Sequence, residues 1–256
     1  MHQLEEQVMR ILFVLIIAGL SLSVFAQDDG VEAKIEAAMA GDVRTEADVA
    51  RDRNRKPVDT LNFFQLSDDM RVVELLPGGG WYTKILAPVL RENGELYVAM
   101  STNNVQQNLM TQPGFDHIQV IDIGVGYERT GPQGTSFVPE FDLDVTGLDL
   151  AVTFRNMHNF SSEGRANVNA AVYSALKSGG LYGVIDHTLR HMEPMTRENR
   201  RRADVVQIIK EVQAAGFELV DYSALHYRPD DELRYEVGRA TVTGNTDRFT
   251  LLFRKP

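Results

Sequence analysis

Between Arg71 and Asp186, five apolar runs of strand length recur, each separated from the next by a helical or loop segment. They are Arg71–Leu76, Glu95–Met100, His117–Ile123, Leu148–Phe154 and Leu181–Asp186. Strands that alternate with helices along a chain imply a sheet covered on both faces. The pattern predicts a mainly parallel, doubly wound α/β sheet. Helices are expected at Trp81–Leu90, Val105–Met110, Ser162–Leu176 and Arg197–Ala215, the last stopped by Gly216. Gly124–Asp144 reads as loop. Two more strands, Glu218–Leu225 and Phe249–Lys255, follow with no crossover helix between them, which predicts a seven-stranded sheet closed by an antiparallel hairpin. Short helices at Val31–Ala40, Thr45–Ala50 and Pro57–Phe64 precede the first strand, with Arg51–Lys56 carrying four cations between the second and third. They would form an N-terminal helical lid (27–66) on a single core domain (67–256).

Ligands of such sheets sit at the carboxyl ends of the strands. The first strand ends in Pro77-Gly78-Gly79-Gly80, where missing Cβ atoms allow a sharp turn and a close backbone approach to a ligand. The following helix would turn its free N–H groups and positive dipole end towards an anionic group. A nicotinamide fingerprint would need a third glycine at position 83, which is Thr83, and an acid about 20 residues further on. That spacing disfavours a nicotinamide oxidoreductase.

Composition narrows the chemistry. Cysteine is absent from the 256 residues, which excludes disulfides, thiolate metal sites, a cysteine nucleophile and a lipidated N-terminal cysteine. The formal net charge of −10 gives no global attraction to nucleic acid. Ile11–Val24 is an apolar run of 14 residues, short of the roughly 20 a spanning helix needs, and is followed by Phe25-Ala26 and then Gln27-Asp28-Asp29. That order predicts a signal peptide over 1–26, cleaved to leave a periplasmic or secreted protein without a membrane anchor. A retained N-terminal anchor is the competing reading.

The segment Glu74-Leu75-Leu76-Pro77-Gly78-Gly79-Gly80 resembles the first motif of the class I S-adenosylmethionine-dependent methyltransferases. The resemblance runs over about Arg53 to Pro256. Arg55-Lys56-Pro57, Pro77–Thr83 (PGGGWYT), Asn156–His158, Asp186-His187 and Asp247-Arg248-Phe249 together look like an exported bacterial subgroup of predicted methyltransferases. It implies a Rossmann-like sheet and S-adenosylmethionine as cofactor. Pro77, Gly78, Gly79 and Gly80 would pass beneath that cofactor, and Glu74 would orient the turn or the cofactor's amino group. The methionine carboxylate would face the helix start near Trp81 and Tyr82. Two positions depart from the family pattern. Leu76 replaces a first glycine, and the second strand ends in Met100-Ser101 where the family places an acid for the ribose hydroxyls. Ser101 or Asn103 would offer a weaker contact there. Hydrogen bonds to a carboxylate are worth about 1.5–3 kcal/mol each, so the departure bears on affinity.

Candidates for the chemistry lie at the ends of the fourth and fifth strands. Asn156 would contact an amine or hydroxyl of the acceptor and His158 would act as base; capping of the next helix explains both equally well. Asp186 and His187 share that rim, where Asp186 would hold one ring nitrogen of His187 or His158 and leave the other for proton transfer, making His187 a second catalytic candidate. Neighbouring strand residues point to opposite faces, so Asp186 is a better partner for His158 than for His187. His187 and His191 do not share a helical face, and no metal site is expected. Arg190, Arg197, Arg200, Arg201 and Arg202 form a basic cluster, read either as a solvated face paired with Glu193, Glu198 and Asp204 or as a clamp for an anionic substrate. The overall expectation is a methyltransferase acting on a small or medium acceptor, with an exported binding protein that retains the fold as the alternative.

Overall fold

The computed structural model describes residues 29–129 and 134–256. The segment read as a signal peptide, 1–26, lies outside the described residues. Seven strands form one sheet in the order β3-β2-β1-β6-β7-β10-β9. They are β1 (Arg71–Leu75), β2 (Glu95–Ala99), β3 (Gln119–Ile121), β6 (Leu148–Phe154), β7 (Leu176–Leu189), β9 (Glu218–Ser223) and β10 (Arg248–Arg254). A two-residue strand, β8 (Ala203–Asp204), adds to the end of β7, and β4 (Glu128–Arg129) pairs with β5 (Ser136–Phe137) in a separate ribbon. The segment 124–144, read as loop, therefore carries that ribbon. The pairs β1–β2, β1–β6, β2–β3 and β6–β7 are parallel. Strand β10 is antiparallel to both β7 and β9 and lies between them. The final strands are thus antiparallel as expected, joined by the long connection 224–247.

Alternation along the strands divides the core in two. Val72, Val98, Val152 and Ile185 point to one face, and Val73, Ala99, Ala151 and Val184 to the other. Helices α1 (Asp29–Met39), α4 (Pro57–Phe63) and α5 (Thr83–Leu90) cover the first face through Val31, Ile35, Leu61, Ile85 and Leu86. Helices α7 (Ser162–Ala175) and α8 (Val205–Ala214) cover the second through Val168, Val172, Ile208 and Val212. Burying each such side chain stabilises the fold by about 1.5–3 kcal/mol, so both helical layers are held by their apolar stripes. Phe64, just past α4, lies against the sheet where Gly183 leaves room: a Cβ there would come within 2.7 Å of the Phe64 ring. Two short helices, α2 (Glu46–Val49) and α3 (Asp52–Arg55), lead into α4 through Lys56, whose φ of 41° sets the corner.

The helix expected over Arg197–Ala215 begins only at Val205, with Asp204 as its N-cap accepting from the Val206 N–H at 2.9 Å. Helix propensity upstream is overridden by Arg202, which is fully buried. Its guanidinium pairs in fork fashion with Asp231 at 2.9 and 3.0 Å and also donates to the Thr188 carbonyl. Arg201 is left-handed (φ 63°), so a helix cannot pass through it. The small helix after β2, α6 (Asn103–Asn108), starts two residues earlier than its sequence pattern indicates.

Candidate active site

The strand order reverses between β1 and β6, and the crevice at such a reversal is the usual ligand position. Left-handed backbone follows three of the strands there. Leu76 follows β1 with φ 51°, Met100 and Ser101 follow β2 with φ 65° and 53°, and Arg155 follows β6 with φ 66°. None is glycine, and left-handed backbone costs such residues about 1–2 kcal/mol each. Three neighbouring strand ends therefore share one unfavourable bend at the same edge.

Above β1, Pro77–Gly80 closes a turn in which the Gly80 N–H donates to the Pro77 carbonyl at 2.9 Å. Gly78 has φ 58°, and a Cβ added to Gly78 or Gly79 would meet no atom within 4 Å. The open side of the turn is therefore bare backbone facing free space. Gly80 serves packing instead, its missing Cβ making room for Leu109 and Val105. Glu74 lies buried beneath the turn and accepts from Thr83 Oγ1 at 2.6 Å, tying the strand to the first residue of α5. Burial pushes its carboxyl up to about 7, with the Thr83 bond opposing. Glu74 thus anchors the turn from below.

Tyr82 is placed differently from the expected cofactor contact. Its ring stacks on Phe154 at 3.5 Å and its hydroxyl donates to the Arg55 carbonyl at 3.2 Å, so the side chain braces α3 and not the open side of the turn. Ser101 is exposed and bonded to Tyr127. Asn156 spans the reversal, its Nδ2 lying 3.3 Å from the Leu75 carbonyl and 3.4 Å from that of Leu76. It holds the β6 end against the β1 turn, and those bonds use the amide that would otherwise face an acceptor.

His158 sits in the 3-10 turn Met157–Asn159 after β6. Its Nδ1 lies 2.6 Å from Asp186 Oδ1, and its backbone N–H donates to Asp186 Oδ2 at 2.8 Å. Asp186, wholly buried on β7, also accepts from the His187 N–H at 2.7 Å. A carboxylate fixed this way holds the proton on Nδ1 and leaves Nε2 as the acceptor nitrogen. No described residue bonds Nε2, and His158 lines an adjoining cavity. His187 lines it too, with Nδ1 2.8 Å from Thr246 Oγ1. Burial first, then neighbouring charges led by Arg248, hold His187 well below the usual histidine value. It is therefore a neutral hydrogen-bonding group at physiological pH. His191 pairs instead with Asp204, at 2.9 Å.

The cavity measures about 540 Å³. Its floor is the β6 and β7 edge; α3 with the residue before it forms one wall and the 224–247 connection the other. Arg51, Arg55, Arg155, Arg201 and Arg248 line it, and no acidic residue does. Arg201 is paired with Glu236. Among the described residues, no carboxylate forms a salt bridge with the other four. Arg55 lies 4.3 Å over the Trp81 ring, and Arg248 donates to the Asn54 carbonyl at 2.9 Å. Burial first, then the charge of Arg155, lowers Arg55 to about 9 and Arg248 to about 10; burial lowers Arg155 as well. Arg55 and Arg248 stay cationic at neutral pH.

The Arg190–Arg202 cluster divides. Arg202 is locked to Asp231, Arg190 lies near Glu193 on the surface, and only Arg201 reaches the cavity. The cavity arginines at 51, 55, 155 and 248 were not singled out in the sequence as a site. The run of cations at Arg51–Lys56 and the resemblance segments at 55–57 and 247–249 were the available signals.

The architecture is the fold seen in solved S-adenosylmethionine-dependent methyltransferases. A SAM-dependent methyltransferase from Aquifex aeolicus superposes with TM-score 0.56 at 14% identity, over 81% of this chain and 93% of that one. The glycopeptide N-methyltransferase MtfA gives TM-score 0.51 at 16% identity, over 79% and 96%. The [4+2]-cyclase SpnF gives 0.51 at 14% identity, over 79% and 80%. No protein-family model matches the sequence, and no curated protein matches it. The likeness is one of fold, and a cyclase shares it, so activity has to be argued from the site.

Proposed function

We propose that this protein is an S-adenosylmethionine-dependent methyltransferase acting on a small or medium acceptor, exported by way of its N-terminal segment. One observation carries the reading. The bare backbone of Gly78 and Gly79 opens at the same strand reversal where a carboxylate-fixed histidine, His158, faces a cavity large enough for a small molecule.

The residues present fit the cofactor in part. Gly78 and Gly79 leave space where a side chain would intrude, and the start of α5 offers N–H groups to a carboxylate. The β2 end, with Met100 and Ser101 in place of an acid, leaves the ribose with weaker partners. Bound S-adenosylmethionine would supply an electrophilic methyl group, with no metal required. Asp186 keeps the proton on Nδ1 of His158. Nε2 takes the N–H or O–H proton of the acceptor as its lone pair becomes nucleophilic. Asn156 holds the two strand ends in register, so that the turn and the base keep a fixed separation.

The missing acid favours one alternative, an exported small-molecule binding protein that keeps the fold without the transfer. Calorimetric titration of the purified protein with S-adenosylmethionine and S-adenosylhomocysteine separates the two. Saturable binding near the micromolar range supports the enzyme. Folded protein that gives no heat up to millimolar ligand overturns it.

A further inference from the structure

An acidic chain with a net charge of −10 gathers five arginines around one cavity, and among the described residues no carboxylate forms a salt bridge with four of them. Arg51 and Arg55 lie four residues apart, whereas Arg155 and Arg248 come from distant parts of the sequence, so the convergence of these three segments is a product of folding. Arg55 and Arg248 are nearly sealed from solvent, at 5% and 7% exposure, and the Nε of Arg248 is buried with no hydrogen-bond partner. Burying a charge without a counter-ion is costly, and an unsatisfied guanidinium nitrogen adds to the cost. Arg55 is cationic beside Arg155 and Arg248, which raises the cost again through repulsion. Asp186, whose charge acts on Arg155 and Arg248, is already committed to three donors.

We propose that this cavity binds a small polyanion, with at least two acidic oxyanion groups held by the guanidinium forks of Arg51, Arg55, Arg155 and Arg248. Arginine forks match carboxylate and phosphate oxygens alike, so the shared chemistry is a compact di- or trianion. Resting on the methyl-transfer reading, the anion is also the acceptor, because the same cavity is lined by His158. The carboxylate of the cofactor does not account for the cluster. It brings one negative charge, and none of Gly78, Gly79, Gly80 and Ser101 lines the cavity.

The test titrates the protein at low ionic strength with citrate and, separately, with inorganic pyrophosphate, without cofactor and again with saturating S-adenosylhomocysteine. At least one anion is expected to bind with a dissociation constant of about 100 µM or tighter, citrate marking a polycarboxylate site and pyrophosphate a phosphate site. Arg51→Gln and Arg155→Gln should each weaken binding by about tenfold or more with circular dichroism unchanged. Arg190→Gln, on the surface outside this cavity, should leave it within about twofold. Absence of binding by both anions at about 5 mM, or wild-type affinity in both cavity variants, overturns the site. Anion binding unaffected by bound S-adenosylhomocysteine supports the acceptor assignment, and mutual exclusion overturns it. If the anion binds and S-adenosylhomocysteine does not, the anion site stands and the methyl-transfer reading fails.

Discussion

Asp186 holds His158 by two bonds at once, from the imidazole Nδ1 at 2.6 Å and from the backbone N–H at 2.8 Å. A carboxylate that grips both ring and backbone fixes the position of the ring as well as its tautomer. Replacing His158 by Gln keeps the size and a hydrogen-bonding end but removes the base. Methyl transfer to the acceptor should fall by about 10²–10⁴-fold while affinity for S-adenosylmethionine, measured by calorimetry, stays within about twofold. Equal losses in both would place His158 in binding and not in proton transfer.

Gly79 tests the turn more cleanly than Gly78. Both face open space, but Gly78 has φ 58° and would be strained by any side chain, whereas Gly79 has no such requirement. Gly79→Leu should therefore melt within a few degrees of wild type, because nothing is overpacked. Binding of S-adenosylhomocysteine should drop by about 100-fold or more, since the added side chain stands where the ligand would lie. Undiminished binding would move the cofactor away from the turn.

Glu74 makes stability depend on pH in a definite direction. Its carboxyl stands at about 7 in the fold against 4.5 for an ordinary glutamate, so the folded state holds a proton that the unfolded chain has lost. Stability from this residue falls as pH rises from about 4.5 to 7 and levels off above, by on the order of 3 kcal/mol. His226, lowered to about 4 by burial, has the opposite dependence, its stabilisation vanishing as pH falls from 6.5. Comparison with Glu74→Gln isolates the first effect, because Gln still accepts from Thr83. The variant should be more stable than wild type at pH 8 and lose that advantage by pH 5, as read by urea unfolding at the two pH values.

Gly183 lies in the middle of β7, where the Phe64 ring presses against the sheet. A methyl group there would sit 2.7 Å from ring carbons that have no room to retreat, Phe64 being fully buried. Gly183→Ala should cost about 1–3 kcal/mol and lower the melting temperature by about 3–10 °C. An unchanged melting temperature would mean that the segment 29–64 shifts freely on the sheet.

Much of this was readable along the chain. Apolar runs at 71–76, 95–100 and 148–154, helix formers between them and the turn at 77–80 set the doubly wound sheet, because hydrophobic burial and glycine backbone freedom act on neighbouring residues. Strand alternation also pointed Asp186 away from His187 and towards His158, the pairing found. Long-range contacts decided the rest. Arg202 interrupts a segment with helical propensity because its charge has to reach Asp231 once buried. Tyr82 follows the glycines in sequence yet turns into the core to stack on Phe154. The arginines of the cavity meet only after a sheet has formed and α3 and the last connection have closed over its edge. Sequence spacing marks the cations at Arg51–Lys56 but does not bring Arg155 and Arg248 to them, since electrostatic repulsion and desolvation depend on distances in space.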